Sequence, residues 1–204
     1  MFLSLDGVDG AGKSTQMDLL CQWLRDEGRD VVRCRDPGST SLGEAVRRLL
    51  LDPDSQIDRR SEMLLYMAAR AQMVEDVIRP HLKAGGTVVS DRYLLANVVY
   101  QAHAGGLDPA EVWDVGRVAT RGLTPHLTIV LDLDIDTAKH RMDRELDRME
   151  AAGDDFHRRV REGFLAEAKG DEAIAVVAAS ASIETVAAEI RRLVSPLLSA
   201  EETV

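Results

Sequence analysis

The fold is decided near the N-terminus, where residues 2–15 read FLSLDGVDGAGKST. The apolar run from Phe2 to Leu5 is typical of a buried strand, and it leads directly into a glycine-rich turn. Residues 7–14 fit the pattern G-x-x-x-x-G-K-[ST] at every fixed position, and apolar residues at helical spacing follow. A strand, a glycine-rich loop and a helix in this order predict a P-loop.

This loop predicts a site for the phosphates of a nucleoside triphosphate. Backbone N–H groups of such a loop surround phosphate oxygens, and the N-terminal dipole of the next helix adds positive charge. Lys13 is placed to bridge the β and γ phosphates, and the Ser14 hydroxyl to ligate Mg²⁺. The motif alone does not separate a kinase from a GTPase or a motor. The residues expected to hold the triphosphate are Gly7, Val8, Asp9, Gly10, Ala11, Gly12, Lys13, Ser14 and Thr15.

Outward from the loop, short apolar runs alternate with helical patterns. Further strands are predicted at Val31–Cys34, Thr87–Asp91, Leu127–Leu131 and Ile174–Val177. Helical spacing marks the segments between them, including a long one from about Arg60 to Lys83 and a highly charged one from Asp136 to Glu150. This alternation predicts an α/β fold, a five-stranded parallel sheet with helices on both faces. We expect a single domain over residues 1–204.

Composition limits the class of protein. With 204 residues, 45% hydrophobic and 29% charged, the chain is expected to be globular. Its net charge of −10 argues against a general nucleic-acid or membrane binder. No apolar run approaches the ~20 residues of a membrane span, and the first residues lack signal-peptide features. Cys21 and Cys34 lie in apolar runs without metal-ligand spacing, which indicates reduced thiols in a cytoplasmic protein.

Arginines stand at the ends of two predicted strands. Arg35 follows the second strand and Arg92 the third, and parallel strands open at these ends onto one crevice. Arg70 lies four residues after Tyr66, so the two share a helical face. Each arginine alone is also compatible with a solvated surface charge. Together they predict a second substrate with a phosphate and a planar base.

An aspartate at the end of a strand and a group of three arginines each allow two interpretations. Asp91 ends a strand, as the Mg²⁺-supporting aspartate of P-loop proteins does, but it also suits a helix cap or an ion pair with Arg92. Arg141, Arg144 and Arg148 fall on one helical face among acidic residues. On spacing alone, that face indicates a solvated helix with many salt bridges.

Several of these segments resemble bacterial thymidylate kinases, within the nucleoside monophosphate kinases, and the resemblance covers nearly the whole chain. Besides the P-loop, the similar stretches are RDPGST (35–40), YMAARAQ (66–72), DRY (91–93), YQ (100–101), PHLTIVLD (125–132), LDRME (146–150) and FHRRVR (156–161). The resemblance implies transfer of the γ-phosphate of MgATP to dTMP, giving dTDP and ADP. It also implies a homodimer.

The resemblance implies a role for each residue of the acceptor site. Tyr66 would stack on the thymine, Arg70 would hydrogen-bond O4, and Asn97 would reach the base edge. Tyr100 would pack at C2′ of the sugar and disfavour a ribonucleotide.

Phosphate and metal contacts are implied as well. Arg92 and Arg35 would hold the acceptor phosphate, and Asp9 would lie near the sugar 3′-OH and the metal. Ser14, Asp9 and Asp91 are therefore the expected Mg²⁺ site.

The family divides by whether a catalytic arginine lies in the P-loop or in a lid. The loop position here is Gly10, so the resemblance implies that a short lid at about residues 141–155 supplies this charge. Arg148 lies in the best-matched run and is favoured, followed by Arg141. The expected catalytic residues are Lys13, Arg92, Arg148, Arg141 and Asp9.

Two other functions remain as alternatives. A deoxynucleoside kinase would phosphorylate an uncharged hydroxyl and would need a carboxylate base there. A P-loop regulatory ATPase or switch would act by binding partners, although a GTPase of that kind normally carries an N-K-x-D motif that this chain lacks.

Overall fold

The computed structural model of the protein describes residues 1–141, 148–149 and 152–201. It contains a five-stranded sheet in the order β2-β3-β1-β4-β5, and every neighbouring pair of strands is parallel. The predicted α/β fold class is thereby confirmed. The strands are β1 (Phe2–Gly7), β2 (Val31–Arg35), β3 (Thr87–Asp91), β4 (Leu127–Asp132) and β5 (Ile174–Ala178).

Helices connect these strands. Two π-helical turns, Val74–Ile78 and Val98–His103, continue α3 into α4 and extend α5. The helices are α1 (Lys13–Asp26), α2 (Ser41–Leu51), α3 (Arg59–Met73), α4 (Arg79–Lys83), α5 (Leu94–Asn97), α6 (Pro109–Thr120), α7 (Ile135–His140), α8 (Asp154–Ala168) and α9 (Ile183–Glu201).

Apolar side chains of β1 point alternately to two clusters. Leu3 and Leu5 belong to a cluster with α1 and α9, whereas Phe2 belongs to one that includes Met63 and Met67 of α3. Successive side chains of a strand point to opposite faces, so the sheet is covered on both sides. This burial fixes the central strand, and therefore the loop that follows it.

Most helix boundaries agree with the sequence pattern. Asp108 caps α6, and its carboxylate accepts a hydrogen bond from the N–H of Ala110. The helix over Leu94–His103 was not predicted, because nearly all its residues are buried and therefore show no amphipathic period. The charged helix predicted from Asp136 ends at His140 as α7, and residues 142–147 and 150 lie outside the described part.

None of the helices in the described ranges combines the length and the apolar character needed to cross a membrane.

Candidate active site

Glycines shape the loop between β1 and α1. Gly10 and Gly12 have φ of 82° and 91°, which residues with a side chain rarely adopt. A Cβ at Gly10 would lie 2.2 Å from the carbonyl oxygen of Ala138 in α7. The loop thus packs backbone to backbone against α7, and this position has no room for a side chain.

A cavity opens in front of this loop, where the triphosphate that donates the phosphoryl group is expected; it is called the donor cavity. It is lined by Asp9 through Gln16 and by Asp91, Arg92, Arg47, Arg141, Ala179, Ala181, Ile183 and Val186. Lys13 Nζ donates to the carbonyls of Gly7 at 3.0 Å and Val8 at 2.8 Å. Burial lowers the pKa of Lys13. Loop residues predicted for the triphosphate therefore either line this cavity or hold its lysine.

A second cavity adjoins the donor cavity, where the substrate that accepts the phosphoryl group is expected; it is called the acceptor cavity. It is lined by Tyr66, Arg70, Arg92, Asn97, Tyr100 and Asp9, together with Asp36, Pro37, Arg47, Leu51, Tyr93, Ala96, Gln101 and Met149. Every residue predicted to bind the acceptor lines this cavity, with the exception of Arg35.

Arg35 instead pairs with a carboxylate at the surface. Its guanidinium donates to both oxygens of Glu44, at 2.9 and 3.0 Å, and the side chain is 46% exposed. Arg47 of α2, for which no role was predicted from the sequence, lines both cavities. Burial and the nearby charges of Arg35 and Arg92 lower the pKa of Arg47.

Sequence reasoning missed Arg47, although a signal was present. Gly43, Val46 and Leu50 form the buried face of α2. Arg47 lies four residues after Gly43 and therefore on the same side, whereas Arg48 is exposed. At this site the helical Arg47 lines the cavities, whereas Arg35 at the end of β2 lines neither.

Asp9, Arg47 and Arg92 line both cavities and mark their junction. Arg92 donates to Asp9 at 2.6 Å and to the Tyr100 hydroxyl at 3.1 Å. Burial alone would raise the pKa of Asp9, but the charges of Arg92 and Lys13 outweigh it and hold that pKa well below its usual range. Arg92 also has a φ of 66°, a strained conformation of the kind found at functional sites.

A chain of hydrogen bonds forms one wall of the acceptor cavity. Arg70 pairs with buried Asp36 and donates from Nη1 to Asn97 Oδ1 at 2.9 Å. Asn97 Nδ2 donates to Gln101 Oε1 at 2.6 Å. Gln101 Nε2 donates to Glu62 Oε1 at 2.9 Å. Of these residues, Arg70 and Asn97 were predicted to contact the base, whereas no role was predicted for Glu62.

Two of the arginines expected in the lid, Arg141 and Arg148, lie in the described residues and differ in position. Arg141 lines the donor cavity and donates from Nη1 to the carbonyl of Ala179 at 3.2 Å. Arg148 lines neither cavity; its Nε donates to the carbonyl of Leu50 at 2.8 Å, and its Nη2 pairs with Glu62. Of these two, Arg141 therefore lines the cavity in front of the P-loop and Arg148 does not. Arg144 lies outside the described residues.

Few side chains in the described part of the chain are placed to ligate Mg²⁺. The described part of the chain has no cluster of three or more His, Cys, Asp or Glu side chains suited to a metal ion. Mg²⁺ is commonly held by one or two carboxylates and substrate phosphates, and Ser14 and Asp91 in the donor cavity fit this pattern. Asp9 fits less well, because its carboxylate already accepts bonds from Arg92 and Tyr100.

The fold and the two cavities define a class of protein. A P-loop at the carboxyl edge of a parallel sheet faces a second anion site across shared arginines, so the molecule is a P-loop phosphotransferase of the nucleoside monophosphate kinase type.

Comparison with known proteins identifies the family. Residues 5–190 match the family model described as thymidylate kinase. A thymidylate kinase of Rhodopirellula baltica is 46% identical over 92% of this chain and 77% of its own length, and one of Clavibacter sepedonicus is 45% identical over 98% and 97%. The crystal structure of thymidylate kinase from Ehrlichia chaffeensis superposes with a TM-score of 0.80 at 28% identity, covering 96% of this chain and 98% of that one. The chain belongs to the thymidylate kinase family.

Proposed function

We propose that the protein transfers the γ-phosphate of MgATP to dTMP, giving dTDP and ADP. The observation that carries this proposal is the junction of the two cavities, where Asp9, Arg47 and Arg92 face both. A phosphoryl group that passes between two bound nucleotides must cross such a junction. Positioning and charge neutralisation are the main requirements of this reaction.

Different residues at this junction bind the donor phosphates, the acceptor phosphate and the group in transfer. The loop N–H groups and Lys13 bind the donor phosphates, and Arg47 and Arg92 bind the acceptor phosphate. Arg141 adds positive charge beside the transferring group. The acceptor phosphate is already ionised, so no strong general base is needed there.

Mg²⁺ bound with ATP would be held by Ser14 and Asp91. The ion would neutralise charge on the phosphate oxygens.

The base would be read by the cavity wall. Tyr66 lines the cavity beside Arg70 and suits a stacked pyrimidine, and Arg70 offers donors to a carbonyl oxygen such as O4. Tyr100 is buried against Asp9, close to where a sugar would lie.

A coupled ADP-release assay with a panel of acceptors tests the proposal. We expect kcat/KM for dTMP to exceed that for dCMP, dGMP and AMP by orders of magnitude, because unpaired polar groups in a closed site are costly. The margin over dUMP should be small, since one methyl group contributes only about 1–3 kcal/mol.

The Lys13→Ala variant is the control for contaminating kinases, because it should retain the fold and lose the activity. Preference for thymidine over dTMP would instead indicate a deoxynucleoside kinase. Slow ATP turnover that no acceptor changes would indicate a regulatory ATPase.

We also propose that the protein is a cytoplasmic homodimer. Leu42 and Leu49 of α2, Leu64 of α3 and Val118 of α6 are exposed on neighbouring helices, which supports an apolar contact there. Sedimentation equilibrium should give twice the chain mass, and Leu64→Glu should shift the equilibrium towards the monomer. A monomer at micromolar concentration would contradict this proposal.

A further inference from the structure

Glu62 is a fully buried carboxylate in the first turn of α3, and it lines neither cavity. Its Oε1 accepts from Gln101 Nε2 at 2.9 Å and from Arg59 Nη1 at 2.7 Å. Its Oε2 pairs with Arg148. Burial of an ionised carboxylate is costly unless it is paired, and these three donors supply the pairing.

Glu62 and Arg70 together fix the direction of the hydrogen-bond chain along the acceptor cavity, and Glu62 accepts its last hydrogen bond, from Gln101 Nε2. Arg70 at one end can only donate, and the Glu62 carboxylate at the other end, which pairs with Arg59 and Arg148, accepts. The amides of Asn97 and Gln101 between them must therefore run in one direction, each donating towards Glu62. If either amide were turned over, two donors or two acceptors would face each other.

This direction determines which atoms the wall can offer to a base. Arg70, Asn97 and Gln101 all line the acceptor cavity. The edge of thymine carries an acceptor at O4 and a donor at N3, whereas cytosine carries a donor at N4 and an acceptor at N3. A wall of fixed polarity distinguishes the two edges, and a wall whose amides can turn over does not.

The other oxygen of Glu62 pairs with Arg148. Arg148 also donates to the carbonyl of Leu50 at the end of α2, where helix carbonyls lack partners. Its neighbour Met149 lines the acceptor cavity with Leu51. By holding Arg148, Glu62 keeps Met149 in the cavity wall.

We propose that Glu62 is a positioning residue that makes the enzyme selective for thymine over cytosine. Together with Arg70 it orients the Asn97 and Gln101 amides through one oxygen, and through the other it holds Arg148, whose neighbour Met149 lines the cavity. The inference rests on the proposed function, because it concerns the acceptor base of that reaction. Glu62 itself does not touch the substrate.

The Glu62→Gln variant tests this role, because a single amide oxygen cannot serve both Gln101 and Arg148. We expect the dTMP-to-dCMP ratio of kcat/KM to fall at least tenfold and KM for dTMP to rise at least fivefold. KM for ATP should stay within twofold of wild type. The matched control is Glu111→Gln, since Glu111 is an exposed glutamate paired with Arg60, and it should leave all these values unchanged.

A second variant covers the case in which Glu62→Gln fails to fold. Glu62→Asp keeps the charge but draws the carboxylate back, so it cannot reach Gln101 and Arg148 at once. It should raise KM for dTMP at least threefold while KM for ATP stays constant.

A merely structural role would lower the melting temperature of the variants without changing selectivity. A folded variant with wild-type KM for dTMP and a wild-type dTMP-to-dCMP ratio would overturn the proposal. Failure of the wild-type protein to phosphorylate dTMP would contradict the proposed function instead. The activity of the wild-type protein is therefore measured before that of any variant.

Discussion

At the scale of single residues, Arg141 and Arg148 have different contacts, and we therefore expect them to have different roles. Arg141 lines the donor cavity, whereas Arg148 holds Glu62 and the end of α2. A positive charge beside the transferring group stabilises charge that develops in the transition state, so its loss lowers kcat. A residue that holds a wall of the acceptor cavity affects substrate binding instead.

We therefore expect Arg141→Ala to lower kcat at least tenfold, or about 1.4 kcal/mol of barrier, with little change in KM for dTMP. Arg148→Ala should mainly raise KM for dTMP. Steady-state kinetics with both substrates varied measures the difference, and Arg158→Ala, an exposed arginine paired with Asp155, is the control. The opposite pattern would restore the preference for Arg148 that the sequence suggested.

At the scale of secondary-structure elements, the sequence predicted those whose pattern is local. All five strands were predicted, because each is a short apolar run bounded by turn residues. The P-loop was predicted residue by residue, since its chemistry requires fixed spacing. The long helical segment from Arg60 to Lys83 was also predicted, although a π-helical turn at Val74–Ile78 interrupts it.

Long-range pairing accounts for what the sequence did not predict. Arg35 lies at the end of β2 as expected. It pairs with Glu44 because the turn between β2 and α2 brings the two side chains together. The link from Gln101 to Glu62 joins residues 39 positions apart, and the one from Glu62 to Arg148 joins residues 86 apart. No periodicity in the sequence reports such contacts.

At the scale of the whole molecule, one buried carboxyl makes stability depend on pH. Burial raises the pKa of Asp6 from 3.8 to about 6, against the lowering effects of Ser4, Arg92 and Lys13. Between about pH 4 and pH 6, the unfolded chain has lost a proton that the folded chain keeps. The stability contributed by the neutral carboxyl is therefore complete below pH 4 and is lost as the pH rises through 6, a change of about 3 kcal/mol.

The Asp6→Asn variant keeps the shape of the side chain and removes this titration. Relative to wild type, its free energy of unfolding should increase by about 1 kcal/mol between pH 5 and pH 7. Urea unfolding at the two pH values measures this change, with the exposed Asp26→Asn as the control. A difference between variant and wild type that stays constant with pH would contradict the expectation.

The junction of the two cavities also affects how the protein responds to its solvent. Burial and the neighbouring charges of Arg35 and Arg92 lower the pKa of Arg47, so repulsion disfavours the positive charge of Arg47 at this junction. A small dianion that binds there relieves this repulsion, and the stability of the folded chain then rises with the logarithm of the dianion concentration above its Kd. Inorganic phosphate has the charge and size of such a dianion, so we expect a phosphate buffer to compete weakly with the acceptor nucleotide. The choice of buffer thus becomes part of any measured affinity for dTMP.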